Sequence, residues 1–187
     1  MTRIVAGTAG GRRLKVPPAG TRPTSDRVRE ALFSAIDARL DLDGARVVDL
    51  YAGSGALGLE ALSRGAAHAL LVEADRKAAA VVRANIAELG LPGAELRLGT
   101  VGSVLAHAAP SPYDVVFSDP PYDVSTEDVI ADLTALAANG WLAPDALVIV
   151  ERSIRSPEIA WPAGYAPLKI RKYGETRIEL AEFGASV

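Results

Sequence analysis

The chain has 187 residues, 49% of them apolar, which suits one folded unit with a real core and excludes a disordered chain. It holds no cysteine and only His68 and His107 as imidazoles, which excludes a disulfide framework and the usual zinc sites and fits a reducing compartment. The net charge of −3 is unevenly spread: the first thirty residues carry Arg3, Arg12, Arg13, Lys15, Arg22, Arg27 and Arg29 against Asp26 and Glu30, so a basic arm precedes an acidic body.

In chain order, "RIVAG" and "RRLKV" flank "TAGG", a turn signal, and predict a small N-terminal hairpin. Its basic residues read either as an anion-binding surface or as a solvated tail. The N-terminus has no long apolar stretch of the signal-peptide kind, and no run approaches the ~18 apolar residues of a membrane span. A soluble cytoplasmic protein is the expectation. "PPAGTRP" breaks regular structure, and Thr24 or Ser25 can cap a helix through "SDRVREALFSAIDARL". Val28, Leu32, Ala35 and Ile36 share one face of that helix, which would leave Arg29 and Glu30 nearer solvent or a site.

From residue 45 strands and helices alternate. "ARVVDLY" predicts a buried strand and Ser54 to Arg64 a helix; "HALLVEA" is the next strand, followed by a helix closed by Gly90. "AELRLGT" is a third strand, with a short helix expected through "VLAHAA". "YDVVFSDPPY" is a fourth strand ending in a Pro-Pro turn. A helix capped by Ser125 or Thr126 and stopped at Gly140 leads to a fifth strand, "ALVIVER". This rhythm means a parallel sheet covered on both faces. The end departs from it, because "PLKIRKYGETRIELAEF" reads as two strands turning at Gly174, an antiparallel finish. The expected fold is α/β and Rossmann-like, and its antiparallel finish resembles that of the class I S-adenosylmethionine (SAM)-dependent methyltransferase type. It has a mostly parallel seven-stranded sheet, an antiparallel C-terminal hairpin, and a small N-terminal β-hairpin and helix. Residues 1–22 are expected as a basic extension and 23–187 as the methyltransferase domain.

"DLYAGSGALGLEAL" contains G-x-G-x-x-G at Gly53, Gly55 and Gly58, between a strand and a helix. A bare turn lets the backbone approach an adenosine cofactor. Glu73, ending the next strand, can accept both ribose hydroxyls of either NAD or SAM. Asp49, four residues ahead of Gly53, favours SAM, whose ammonium a carboxylate would face; an NAD fingerprint asks for no acid there.

The D-P-P-Y turn, Asp119-Pro120-Pro121-Tyr122, follows the fourth strand, at the carboxyl ends where open parallel sheets bind ligands. An aryl NH2 is a poor nucleophile because its lone pair is delocalised. Asp119 and the carbonyl of residue 120, left unpaired by the prolines, can accept its two N–H bonds and aim the lone pair. Tyr122 offers a stacking ring. Three substrate classes share the motif: amines of DNA bases, amines of RNA bases, and a protein glutamine amide, the last usually with Asn in place of Asp119.

"RIVAGTAGGRRLKVP", "TRPTSDRVREALFSAI", "VVDLYAGSGALGLEALSRGA", "VEADRKAAAVVRANI" and "DVVFSDPPY" resemble, in that order, the RsmD family of bacterial 16S ribosomal RNA guanine-N2 methyltransferases. The resemblance runs from Arg3 to about Phe183, and its most specific element is R-P-T-x-D-R-V-R-E at Arg22–Glu30. It implies methyl transfer from SAM, with S-adenosyl-L-homocysteine as product, to N2 of one guanine in 16S rRNA. The RNA partner would lie within a 30S subunit or an assembly intermediate, with no membrane and a monomeric enzyme.

Carried onto this chain, Asp119, Pro120, Pro121 and Tyr122 would hold the flipped base. Asp49, Ala52, Gly53, Ser54, Gly55, Gly58, Glu73, Ala74, Thr100 and Val101 would hold SAM. Arg3, Arg12, Arg13, Lys15, Arg22, Thr24, Arg27 and Arg29 would face RNA. For Arg22, Thr24, Arg27 and Arg29 closure of the site, or a structural role as cap or ion-pair partner, stands beside RNA contact. The acid that many methyltransferases carry after the third strand is absent; Thr100 stands there. An amine methyltransferase for another RNA or DNA base, or a non-catalytic RNA-binding assembly factor, are the alternatives.

Overall fold

The computed structural model describes residues 2–18 and 25–184. Its elements are β1 (Thr2–Arg3), β2 (Arg13–Leu14), α1 (Asp26–Asp37), β3 (Arg46–Asp49), α2 (Ala56–Ser63), β4 (His68–Glu73), α3 (Arg76–Leu89) and β5 (Ala94–Leu98). Then follow α4 (Val101–Leu105), β6 (Tyr113–Ser118), α5 (Thr126–Ala138), β7 (Leu142–Ser153), β8 (Tyr165–Pro167), β9 (Arg171–Tyr173) and β10 (Thr176–Phe183).

The main sheet has eight strands in the order β5-β4-β3-β6-β7-β10-β8, with β9 also pairing β10. β5 through β7 are parallel, and β10 runs antiparallel to β7. The order reverses between β3 and β6, the switch point that opens a crevice beyond the strand ends. The expected seventh strand is divided. Pro167 lies opposite Ala181 and Arg171 opposite Ile178, so four steps on the outer chain face three on β10. The extra residue is a bulge that separates β8 from β9, and Pro167 is tolerated there because the strand is an edge.

The alternation of side chains along each strand sorts the core into two layers. Val47, Leu71, Phe117 and Ile149 pack under α1 and α2 with Leu32, Phe33, Ile36 and Leu59. Val48, Leu70, Val116 and Val148 pack on the opposite face against α4 and α5, with Val104, Leu133 and Leu136.

Local chemistry explains the helix starts. The Ser25 hydroxyl accepts from Val28 N–H (3.2 Å), Asp75 from Ala78 N–H (2.8 Å) and Ser125 from Asp128 N–H (3.1 Å), each satisfying a first-turn amide. Thr100 caps α4 through Ser103 N–H, so this helix begins at Val101, three residues earlier than "VLAHAA" suggested. β7 is likewise longer than "ALVIVER". Thr24, the other candidate cap for α1, lies outside the described residues.

The arm is bound to the body. β1 and β2 pair antiparallel, as the hairpin signal predicts, over only two residue pairs. The turn between them lies on α2: Glu60, fully buried, accepts from Val5 and Ala6 N–H at 2.8 and 3.1 Å. Ser63 Oγ donates to the Ala6 carbonyl (2.6 Å) and accepts from Ala9 N–H (2.9 Å). A Cβ on Gly7 would stand 1.9 Å from the Ser63 carbonyl oxygen, so only glycine allows this approach.

Candidate active site

The loops after β3, β4, β5, β6 and β7 enclose a crevice of about 1130 Å³. Asp49, Ala52, Gly53, Ser54, Glu73, Ala74, Thr100 and Val101 line one part, and Asp119, Pro120, Pro121 and Tyr122 another. The glycine loop and the D-P-P-Y turn thus share one cavity, because β3 and β6 are hydrogen-bonded neighbours.

Gly53 (φ 60°) makes the turn after β3, and its N–H donates to Glu73 Oε1 at 2.8 Å. Glu73 Oε2 accepts from Asp75 N–H at 2.9 Å. Two backbone donors therefore fix this carboxylate at the rim, and each oxygen keeps a further lone pair for a hydroxyl. Asp49, at the end of β3, is 1% exposed and accepts from Gly58 N–H at 3.0 Å. Burial pushes its carboxyl up to about 7, with the Glu73 charge adding and the Gly58 hydrogen bond opposing.

Two of the three glycines have another role than cofactor contact. Gly55 (φ 85°) caps α2 in the left-handed conformation, behind the lining. Gly58 is buried against β4: a Cβ there would stand 2.2 Å from Leu71 Cδ2. Gly55 and Gly58, expected as cofactor contacts, do not line the crevice in this structure; Gly55 serves the backbone and Gly58 the packing, with Gly58 also orienting Asp49.

The D-P-P-Y turn is held at its far end. The Pro121 carbonyl accepts from Val124 N–H at 3.0 Å, while no hydrogen bond among the described residues ends on the Pro120 carbonyl. Arg152, on β7, donates to the Val124 carbonyl (3.1 Å) and to Thr126 Oγ1 (3.3 Å). The Tyr51 hydroxyl donates to Asp132 Oδ2 at 2.5 Å, joining the loop after β3 to α5. Burial raises both groups above their ordinary values. Tyr122, at the mouth of the crevice, is 73% exposed.

The charge of the lining discriminates between cofactors. Asp49, Glu73, Asp75, Asp119, Asp123, Asp128, Asp132, Glu151 and Glu175 line the crevice, and Arg152 is the one cation in the lining among the described residues. Such a wall repels the pyrophosphate of NAD and suits a ligand carrying an ammonium and a sulfonium. The residues present therefore fit the expected SAM: Asp49 for the ammonium, Glu73 for the ribose and the bare Gly53 turn beneath.

The basic residues divide. Arg13, Lys15 and Arg27 are exposed. Arg3 pairs with Asp26 at 2.9 Å, and Arg12 donates to the Glu88 carbonyl at 2.8 Å. Burial alone would lift the Asp26 carboxyl; Arg3 and Arg29 hold it below the ordinary aspartate value. Arg29 is corrected: it is fully buried and offers no RNA contact in this structure. Its position, three and four residues before Leu32 and Phe33, puts it on the apolar face of α1, where its guanidinium meets Asp26 at 2.8 Å and Glu60 at 3.9 Å. Glu30 is exposed as expected. Arg22 and Thr24 lie outside the described residues.

Five residues that the motifs did not single out belong to the site's architecture: Tyr51, Asn85, Asp132, Glu151 and Arg152. Asn85, buried on α3, accepts from Lys15 N–H (2.8 Å) and donates to the carbonyls of Lys15 and Ser54 (2.9 and 2.8 Å). One amide thus ties the basic arm to the cofactor loop. The available signal was a lone Asn in the apolar run "AAAVVRANIAEL".

The family model described as conserved hypothetical protein 95 matches residues 2–182. The chain is 40% identical over 179 residues to ribosomal RNA small subunit methyltransferase D of Escherichia coli strain K12, covering 95% of this chain and 88% of that protein. The protein of the same name from Haemophilus influenzae is 35% identical over 176 residues, with 92% and 89% covered. The solved structure of yhhF from Escherichia coli superposes with a TM-score of 0.88 at 36% identity and covers 98% of both chains.

Proposed function

This chain belongs to the RsmD family, the conserved hypothetical protein 95 group, and from that premise we propose that it is a SAM-dependent rRNA methyltransferase acting on the exocyclic N2 amine of a guanine in 16S rRNA. The observation that carries the reading is the meeting of Asp49, Glu73 and Asp119 in one acid-lined crevice beside the D-P-P-Y turn.

SAM supplies, when bound, an electrophilic methyl group on a positively charged sulfur. Asp49 would hold its ammonium end and Glu73 its ribose, with the bare Gly53 turn letting the backbone approach. Asp119 and the Pro120 carbonyl accept the two N–H bonds of the target amine, which draws charge onto nitrogen and fixes its direction. Each turnover would form one N–C bond, break one S–C bond and release one N–H proton, which Asp119 would accept. Tyr122 stacks on the extruded base, and Arg152 keeps the turn from drifting by holding Val124. Positioning and hydrogen bonding carry the catalysis. The exposed Arg13, Lys15 and Arg27 supply phosphate contacts, and the substrate is the RNA of a 30S subunit or an assembling particle. The protein acts in the cytoplasm as a monomer, with the arm as an extension of the methyltransferase domain.

Labelled SAM, offered with small subunits lacking the modification, with naked 16S rRNA or with duplex DNA, tests this directly after digestion to nucleosides. N2-methylguanosine from subunits is expected. N6-methyladenine would move the protein to another base, and absence of label in every arm would make it a non-catalytic factor.

A further inference from the structure

We propose that Glu151 determines the choice of base by accepting the N1–H of guanine beside the target amine, an inference that rests on the guanine-N2 reading above. In the parallel pair β6 and β7, Phe117 lies opposite Ile149 and Ser118 opposite Val150; the next residue on each chain is Asp119 and Glu151. Both line the crevice, and both are partly exposed where the buried strands open into it. Residues at one register of neighbouring parallel strands stand about 4.8 Å apart and project to the same side. The site therefore presents two carboxylates side by side.

Base chemistry makes this pair selective. With an exocyclic amine held at Asp119, the neighbouring Watson–Crick ring atom lies toward Glu151. In guanine that atom is N1, which carries a hydrogen and donates. In adenine it is N1 and in cytosine N3, each a bare lone pair that a carboxylate repels. An acceptor beside an acceptor suits the donor–donor edge of guanine and leaves an unpaired, repelled edge for the other two amino bases. A site built to hydrogen-bond one ring hydrogen rejects the analogue lacking it far more strongly than shape alone would. Asp119 meets the reacting amine in all three bases, so discrimination belongs to its neighbour.

The test uses small subunits assembled with 16S rRNA that carries either guanine or 2,6-diaminopurine at the methylated position. The analogue keeps the N2 amine, replaces N1–H by a lone pair and carries an amine in place of O6, so the comparison between wild type and Glu151→Gln on the same pair of substrates isolates the contact to N1. Wild-type protein is expected to favour guanine in kcat/KM by ~100-fold or more. Glu151→Gln, which can donate to that lone pair, brings the two substrates within about tenfold, and Glu151→Asp keeps the guanine preference at a lower rate. Unchanged SAM affinity in both variants verifies an intact fold. If wild type methylates guanine and Glu151→Gln discriminates as strongly as wild type, the assignment of Glu151 is overturned while the guanine reading stands. If wild type methylates no guanine, both are overturned.

Discussion

Asp49 is held in the sheet with its carboxylate 1% exposed and its pKa raised to about 7, mainly by burial. A raised folded value means that its proton stabilises the ligand-free protein below the unfolded value near 3.8, and that this contribution is lost as pH rises through about 7. Binding an ammonium reverses the preference, because the partner favours the ionised form. SAM affinity should therefore rise by about tenfold per pH unit below 7 and level off above it, with a proton released on binding. Titration calorimetry in two buffers of different ionisation enthalpy measures both. Asp49→Asn should bind weakly with a flat pH profile; a wild-type profile flat from pH 5.5 to 8 would remove Asp49 from cofactor binding. Asp119 predicts a different signature. Asp119→Ala should lower kcat by roughly 10²–10³ with SAM affinity little changed, because the carboxylate acts on the amine and not on the cofactor. Near-normal turnover in that variant would sink the mechanism.

Among the elements, the contact of greatest reach is between the arm and α3. Asn85 spends its amide on Lys15 and Ser54, seventy and thirty-one residues away. Asn85→Ala leaves those backbone groups without their partner, at a cost of about 3 kcal/mol and a fall in Tm of roughly 6–12 °C. Limited proteolysis should then cut first near Lys15, and SAM binding should weaken because the Ser54 carbonyl is released. A variant with unchanged melting and an uncut arm would show that the contacts to Glu60, Ser63, Asp26 and Glu88 hold the arm without Asn85. The elements themselves were largely readable in advance. Ser25 and Ser125 were among the cap candidates for α1 and α5, because a cap side chain acts within three residues; the Asp75 cap of α3 acts the same way. The split of β8 from β9 was not readable, since a bulge arises from register against β10 and leaves no periodicity of its own.

Across the whole molecule, acids wall the crevice, while exposed cations lie on the arm at Arg12, Arg13 and Lys15 and on the body, for example at Lys77, Arg83, Lys169, Arg171 and Lys172. On the proposed reading, the arm cations contribute phosphate contacts, whose number the salt dependence of binding counts. Replacing Arg12, Arg13 and Lys15 together by Ala should weaken subunit binding and lower the slope of log K against log salt by about 2. Binding measured from 50 to 300 mM salt checks this, and an unaltered slope would leave the arm a structural brace.

Asp49, Gly53, Glu73 and the D-P-P-Y turn could be placed from the linear chain because each follows a strand whose buried run is written in adjacent residues, and strand ends in a parallel sheet share one edge. The cofactor type follows from that. Which side chains face inward is a different matter. Arg29 looks like a surface cation until α1 lies on the sheet and Glu60 comes beside it. Gly58 looks like a cofactor contact until Leu71 fills the space where its side chain would be. Asn85 and Glu151 carry no motif, and their partners come from β-registers and helix contacts tens of residues away. Burial and pairing depend on the simultaneous packing of distant segments, and so only the folded chain fixes them.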